Sequence, residues 1–201
     1  MKRRRLVIAA AIVVVVAGGA IGAAVALSGS GRPLVEASFP GYAGISFRYP
    51  ESWRRVDWCW TSTEVSPMAL LTSGRRSPPC VGTQLFGGGT PLPPPQRLAE
   101  DGVSVWWLYT DRSGLKPVRS NTRIGGRPAD LAVSWQRPPK SLGAGPRCVD
   151  AQRQRRLVAD IQAPRSSTAR FEAGAVVCGP DYAGGEAAVR RMLDSVRFSG
   201  S

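Results

Sequence analysis

The chain has 201 residues and a formal net charge of +13 at pH 7, because 27 lysines and arginines outnumber 14 aspartates and glutamates. It contains no histidine, which excludes Ser-His and Cys-His catalytic pairs and any histidine-ligated metal centre. The length suits a single folded domain behind a short N-terminal segment, since one hydrophobic core of this size is common.

The first predicted element is an uninterrupted apolar stretch from Leu6 to Leu27, preceded by a basic flank at residues 1–5. As a helix it would be roughly 30 Å long, the thickness of the hydrocarbon core of a bilayer. The basic flank predicts a cytoplasmic N-terminus and an extracellular remainder. We therefore predict a single-pass transmembrane helix or uncleaved signal anchor in the cell membrane. The alternative is cleavage near Ala26, after the small-x-small sequence Ala24-Val25-Ala26, which would secrete the domain.

An even number of cysteines in an exported chain indicates disulfide bonds. The four cysteines are Cys59, Cys80, Cys148 and Cys178. Three pairings are possible, and the nearest-neighbour choice joins Cys59 to Cys80 and Cys148 to Cys178. A zinc site is disfavoured because no C-x-x-C spacing and no histidine occur. The sequence predicts no metal and no cofactor.

Residues 28–43 are rich in glycine, proline and serine, and we predict a linker there with the folded domain over 44–201. Apolar and polar residues alternate from Ile45 to Tyr49, which predicts a strand that ends at Pro50. Two more strands are predicted at 56–61 and 68–72, joined by a turn near Ser66-Pro67. A long exposed loop is predicted at 73–95.

The segment 103–110 is apolar on both faces, which predicts a strand in the middle of a covered sheet. Gly125-Gly126 predicts a tight hairpin between strands at 118–124 and 127–136, with Ala129, Leu131, Val133 and Trp135 facing inward. A further antiparallel pair is predicted at 157–162 and 171–178. The chain is predicted to end in a helix over 184–195, with one apolar stripe toward the sheet.

Two sequences carry a family resemblance: Gly44-Ile45-Ser46-Phe47-Arg48-Tyr49-Pro50-Glu51-Ser52-Trp53 and Met192-Leu193-Asp194-Ser195-Val196-Arg197-Phe198. With them the domain resembles a PsbP-like domain, as in exported actinobacterial envelope proteins. The resemblance implies an α+β fold, an antiparallel β-sheet covered by a C-terminal helix. It also implies a binding or assembly module, and it brings no catalytic residues.

Only one catalytic pattern survives a search of the sequence. Ser113 and Lys116 have the Ser-x-x-Lys spacing of penicillin-binding proteins, in which the lysine deprotonates the serine. Pro117 follows at once and no Lys-Thr/Ser-Gly strand occurs, so a surface turn is favoured. A cell-wall serine–lysine hydrolase is therefore kept as the alternative to a non-catalytic protein.

Tryptophan supplies a candidate binding surface. Trp58 and Trp60 would share one face of a strand, and Trp106 lies in the predicted central strand. Such indoles form a sugar- or peptide-binding face when exposed, and part of the core when buried.

We predict a membrane-anchored extracytoplasmic binding or assembly module that performs no chemistry. Its expected partners are the lipid bilayer, through Leu6 to Leu27, and an envelope protein or cell-wall polymer. An arginine-rich surface that binds anionic wall polymers is a further alternative, although the arginines are scattered along the chain. Nucleic acid does not suit this compartment, and the sequence does not predict an oligomeric state.

Overall fold

The computed structural model describes residues 33–56, 60–61, 65–74, 84–85, 96–98, 101–112, 115–138, 146–149, 153–180 and 182–199. The predicted transmembrane segment and its basic flank lie outside these residues. Within the described part of the chain, no helix has the length and apolar character needed to cross a membrane. The folded unit begins at Leu34.

The described residues form fourteen strands and one helix. The strands are β1 Leu34–Phe39, β2 Ile45–Pro50, β3 Arg54–Arg55, β4 Trp60–Thr61, β5 Val65–Thr72, β6 Gln84–Leu85, β7 Gln96–Leu98, β8 Val103–Thr110, β9 Thr122–Ile124, β10 Arg127–Gln136, β11 Pro146–Cys148, β12 Gln154–Gln162, β13 Arg170–Val177 and β14 Arg197–Phe198. The helix is Tyr182–Asp194.

The largest sheet has seven strands in the order β3-β5-β8-β13-β12-β10-β9, and all its pairings are antiparallel. Strand β8 lies between β5 and β13, and Val103 to Leu108 are buried on both faces. The prediction of a covered central strand at 103–110 is therefore confirmed. Apolar residues on both faces of β8 require cover on both sides of the sheet.

One face of this sheet is covered by two elements: the helix and a second sheet of order β1-β2-β14. The ring of Phe47 on β2 stacks on Trp107 of β8 with 4.6 Å between centroids. Val189, Met192 and Leu193 of the helix are buried in the same core.

The predicted fold class is wrong. The described chain is mostly β-sheet with one helix, and it is not the helix-covered α+β sandwich that the resemblance to PsbP-like domains implies. The physical reason is that the helix shares its face of the large sheet with β1, β2 and β14, so sheet packs on sheet over much of the core.

Strand β1 lies inside the predicted linker at 28–43. It pairs with β2 along its whole length, from Leu34 opposite Pro50 to Phe39 opposite Ile45. Its alternate residues Val35, Ala37 and Phe39 are at least partly buried. The folded unit therefore starts before residue 44, because period-2 burial of apolar side chains forms a strand despite the surrounding glycine and proline.

One local prediction in the first half is also wrong, and another is only partly covered by the described residues. Residues 57–59 of the strand predicted at 56–61 lie outside the described residues, and Trp60–Thr61 form the short strand β4. The expected turn near Pro67 lies within β5, where the pairing with β8 shifts register between Pro67 and Ala69. Proline has no N–H to donate to the ladder, so a strand accommodates it at such an irregularity.

The hairpin at Gly125-Gly126 is confirmed. The two glycines have φ of +57° and +77°, and they connect β9 to β10 with Ile124 opposite Arg127. These backbone angles lie in the left-handed region, which glycine adopts without steric cost.

The other face of the large sheet carries a smaller apolar cluster that includes Leu70, Trp106 and Leu108. It is covered by the parallel pair β7 and β11. Leu98 of β7 and Cys148 of β11 are buried there, and a disulfide joins Cys148 to Cys178 directly after β13. The disulfide therefore ties this cover to the large sheet.

Candidate functional site

Four side chains meet at one corner of the large sheet, where β10 ends, β12 begins and the helix starts. Trp135 on β10 is paired with Arg155 on β12, and Arg155 is paired with Val177 on β13. Tyr182 is the first residue of the helix, and Glu186 lies one turn further on. We call Trp135, Arg155, Tyr182 and Glu186 the aromatic corner.

The two rings of the aromatic corner are exposed and in contact. The centroids of Trp135 and Tyr182 are 4.8 Å apart and the ring planes meet at 78°, an edge-to-face arrangement. Trp135 is 41% exposed and Tyr182 is 38% exposed. Large aromatic rings contribute much of the energy of protein interfaces, so an exposed pair in fixed contact is a typical interaction surface.

Arg155 holds this surface in place. Its guanidinium carbon lies 5.1 Å from the centroid of the Trp135 ring, a cation–π contact. Its Nε donates a hydrogen bond to Oε2 of Glu186 at 2.9 Å. The Oε1 atom of Glu186 accepts hydrogen bonds from Nε and Nη2 of Arg190 at 2.9 and 2.8 Å. The indole is thereby connected to the helix through one carboxylate.

The Glu186 carboxylate is charged and mostly shielded, since its side chain is 13% exposed. Burial alone would raise its pKa, but the hydrogen bonds and charges of Arg155 and Arg190 outweigh burial and lower it. The carboxylate is therefore committed to these two arginines. Other arginines of the corner, Arg137 and Arg153, are exposed at the adjoining ends of β10 and β12.

Within the described residues, strand β10 also has an open edge beside the aromatic corner, because its partner β9 pairs only with Arg127 to Ala129. At Leu131 the side chain of Asn121 replaces a strand: Oδ1 accepts from the Leu131 N–H at 3.0 Å, and Nδ2 donates to the Leu131 carbonyl at 3.1 Å. We call the following residues, Ala132 to Gln136, the open edge.

A second polar arrangement lies on the outer face of the sheet, which is the face of the smaller apolar cluster. Asp130, Asp160 and Glu172 are in register across β10, β12 and β13. Burial is the largest effect on Asp160 and Glu172 and raises the pKa of both carboxyls. Arg170 lies 3.8 Å from Asp160 and lowers its pKa in part. Like charges placed directly opposite on neighbouring strands repel each other, and burial increases the energetic cost of that repulsion.

Trp106 belongs to this outer face and not to an exposed surface. It is 3% exposed, and its Nε1 donates to Oε1 of Glu172 at 3.2 Å. The indole lies against Gly174, where an added Cβ would come within 2.0 Å of Cε2. Trp106 is therefore a core residue with one satisfied polar atom, and it does not contribute to an accessible binding face.

The remaining predicted site residues fall mostly outside the described chain. They are Trp58, the side chain of Trp60, Cys59, Cys80 and Ser113. Lys116 is described and exposed. The predicted pairing of Cys148 with Cys178 is confirmed. The described residues contain no group of histidine, cysteine, aspartate or glutamate side chains that could hold a metal ion.

Sequence reasoning missed the aromatic corner because it assigned Trp135 to the buried face of β10. The alternation places Trp135 on that face, but near the end of the strand both Ser134 and Trp135 are exposed. Tyr182 lies just before the predicted start of the helix at 184. The end of β10 and the start of the helix can be placed side by side only when the register of β10, β12 and β13 is known, and local sequence patterns do not specify that register.

Comparison with family models and with curated proteins finds no match for this chain. The resemblance to PsbP-like domains therefore stays a prediction.

Proposed function

We propose that the protein is a membrane-tethered, extracytoplasmic binding module that contacts another envelope component through the aromatic corner. The tether is the apolar segment Leu6 to Leu27, with its basic flank in the cytoplasm. The Cys148–Cys178 disulfide supports export, since disulfides persist in oxidising compartments.

One observation supports the choice of site: the exposed Trp135 and Tyr182 rings are in contact, and Arg155 lies over Trp135 while it donates a hydrogen bond to Glu186. A surface that is fixed before binding loses less conformational entropy when a partner arrives. The aromatic rings and arginines of the aromatic corner are groups suited to recognition, which supports a role in binding. The serine–lysine hydrolase alternative depends on Ser113, which lies outside the described residues, so no observation favours it.

Photo-crosslinking in cells that export the full chain tests this proposal. A photoreactive amino acid replaces Tyr182 in one variant and Lys116 in the control. Lys116 is exposed and lies near Val118, whose N–H donates to Gln162 at the far end of β12 from Arg155. We expect adducts at position 182 and none at position 116. Equal yields, or no adduct at position 182, would contradict the proposed site.

A further inference from the structure

Resting on the proposed function, we infer that the partner is an acidic, extended peptide segment of another protein that adds as a strand to the open edge of β10. Strand addition uses the unpaired main chain of a sheet edge for affinity and the neighbouring side chains for specificity. The open edge and the aromatic corner share Trp135, so one peptide can contact both.

The main chain of the open edge has donors and acceptors that face outward. Residues of an antiparallel strand direct their N–H and C=O groups alternately to the two sides. Ala129 accepts from the Asn121 N–H, and Leu131 is capped by the Asn121 side chain, so odd-numbered residues face away from β12. Val133 and Trp135 are the next such residues. Within the described chain, no residue bonds to their N–H or C=O groups.

The open edge lacks the features that normally protect an edge strand. Protected edges carry lysines, inward charges, prolines or bulges. Here the two exposed residues before Trp135 are Ala132 and Ser134, which are small and uncharged. The pairing of β10 with β12 is regular over its whole length, from Ala129 to Gln136. The edge is therefore straight enough to accept another strand.

The charge of the corner selects the partner. Exposed Arg137 and Arg153 lie at the end of the open edge, and the carboxylate of Glu186 is already paired with two arginines. An acidic segment would be attracted to this end of the sheet. A second copy of the exported domain carries the same net charge, which is +9 once the four basic residues of the flank are subtracted from +13, and would be repelled.

A peptide-binding experiment on the full chain in detergent micelles tests the inference. The probe is a synthetic peptide of alternating valine and glutamate, and its matched control alternates valine and lysine. We measure binding by fluorescence anisotropy and the protected amides by hydrogen exchange. We expect the glutamate peptide alone to bind, to slow exchange at the Val133 and Trp135 amides, and to dissociate when salt is added.

Two variants distinguish the contribution of the Val133 main-chain N–H to binding from that of the Val133 side chain. Val133→Pro removes the outward N–H, while Val133→Ala shortens the same side chain and keeps the N–H. We expect the proline variant to bind the glutamate peptide about tenfold more weakly than the alanine variant, the effect of one lost hydrogen bond. If the proline variant fails to fold, hydrogen exchange on the unmodified chain still decides the question.

Equal binding of the two peptides, no binding, or protection away from Val133 and Trp135 would overturn strand addition. Crosslinks from position 182 to a glycan, a lipid or a second copy would also overturn it, while leaving the proposed contact site intact. Absence of crosslinks at position 182 would instead remove the proposed function. The two failures are therefore distinguishable.

Discussion

The clearest case of unfavourable chemistry at a single residue is Glu172. Its carboxyl is largely buried, faces Asp160 across the strand pair, and accepts one hydrogen bond from Trp106. The sequence places Glu172 in the strand predicted at 171–178, but it does not reveal that the carboxyl is largely buried. Burial of this kind depends on long-range packing, which local periodicity does not specify.

Glu172→Gln should stabilise the fold at neutral pH, by up to about 1 kcal/mol, because it removes a charge opposite Asp160 and keeps an acceptor for Trp106. The raised pKa means that the native state binds more protons than the unfolded state between the two pKa values, so stability falls as pH rises through that window. Below the unfolded pKa the penalty disappears.

Urea unfolding at several pH values measures this effect. The free energy of unfolding of Glu172→Gln should exceed that of the unmodified chain at pH 7. The difference should shrink as the pH falls below the pKa of an ordinary glutamate. A difference that grows toward low pH would show that the carboxylate is favoured in the fold, contrary to its environment.

Besides its buried apolar residues, the helix is linked to the sheet by the hydrogen-bonded carboxylate of Glu186. Glu186→Ala should lower the free energy of unfolding by about 2 kcal/mol, because it leaves Arg155 and Arg190 without their shared acceptor. It should also loosen Trp135, which Arg155 contacts. The matched control is Glu36→Ala, since Glu36 and Arg48 form an exposed pair at 3.9 Å, and we expect a change below about 0.5 kcal/mol.

Urea unfolding measures the change in stability, and the NMR resonance of the Trp135 indole N–H reports whether the ring has loosened. The proposed role of Glu186 is contradicted if Glu186→Ala and Glu36→Ala have the same stability and leave the indole resonance unchanged. Lowering the pH should reproduce the variant, because a carboxyl with a lowered pKa stabilises the fold above its unfolded pKa and loses that contribution as the pH falls.

Elements with a strong local pattern could be predicted from the sequence, and elements that depend on partners could not. The strand β8 has apolar residues on both faces, and the β9–β10 hairpin has two glycines at positive φ. Strand β1 has only a short alternation among prolines and serines, so its assignment depends on pairing with β2. The open edge is likewise invisible in the sequence, because an edge is defined by the length of the neighbouring strand.

The fold class was predicted wrongly for the same reason, because it depends on how distant parts of the chain pair. The helix and its apolar stripe were predicted well: Val189, Met192 and Leu193 are buried as expected. What the sequence does not show is that β1, β2 and β14 share the cover of the large sheet with that helix. The choice between helix and sheet cover depends on long-range pairing and not on local periodicity.

The disulfide should contribute to the stability of the whole folded unit. Cys148 and Cys178 are 30 residues apart, and closing a loop of that length stabilises by about 3 to 4 kcal/mol in the chain-entropy model. Replacing both cysteines with serine should lower the free energy of unfolding by a similar amount. It should also loosen the β7–β11 pair that covers Trp106. Urea unfolding under oxidising conditions measures the loss, and an unchanged transition midpoint would contradict this role.

In the cell envelope, a partner should cover the aromatic corner. Hydroxyl-radical footprinting of the full chain tests this cover by comparing oxidation of Trp135 and Tyr182 in intact cells with oxidation in purified protein in detergent micelles. Tyr42, which packs on Tyr109 at the far end of the sheet from Trp135, is the internal control. We predict that Trp135 and Tyr182 lose most of their oxidation in cells while Tyr42 is unchanged. Equal oxidation of Trp135 and Tyr182 in both states would contradict the account.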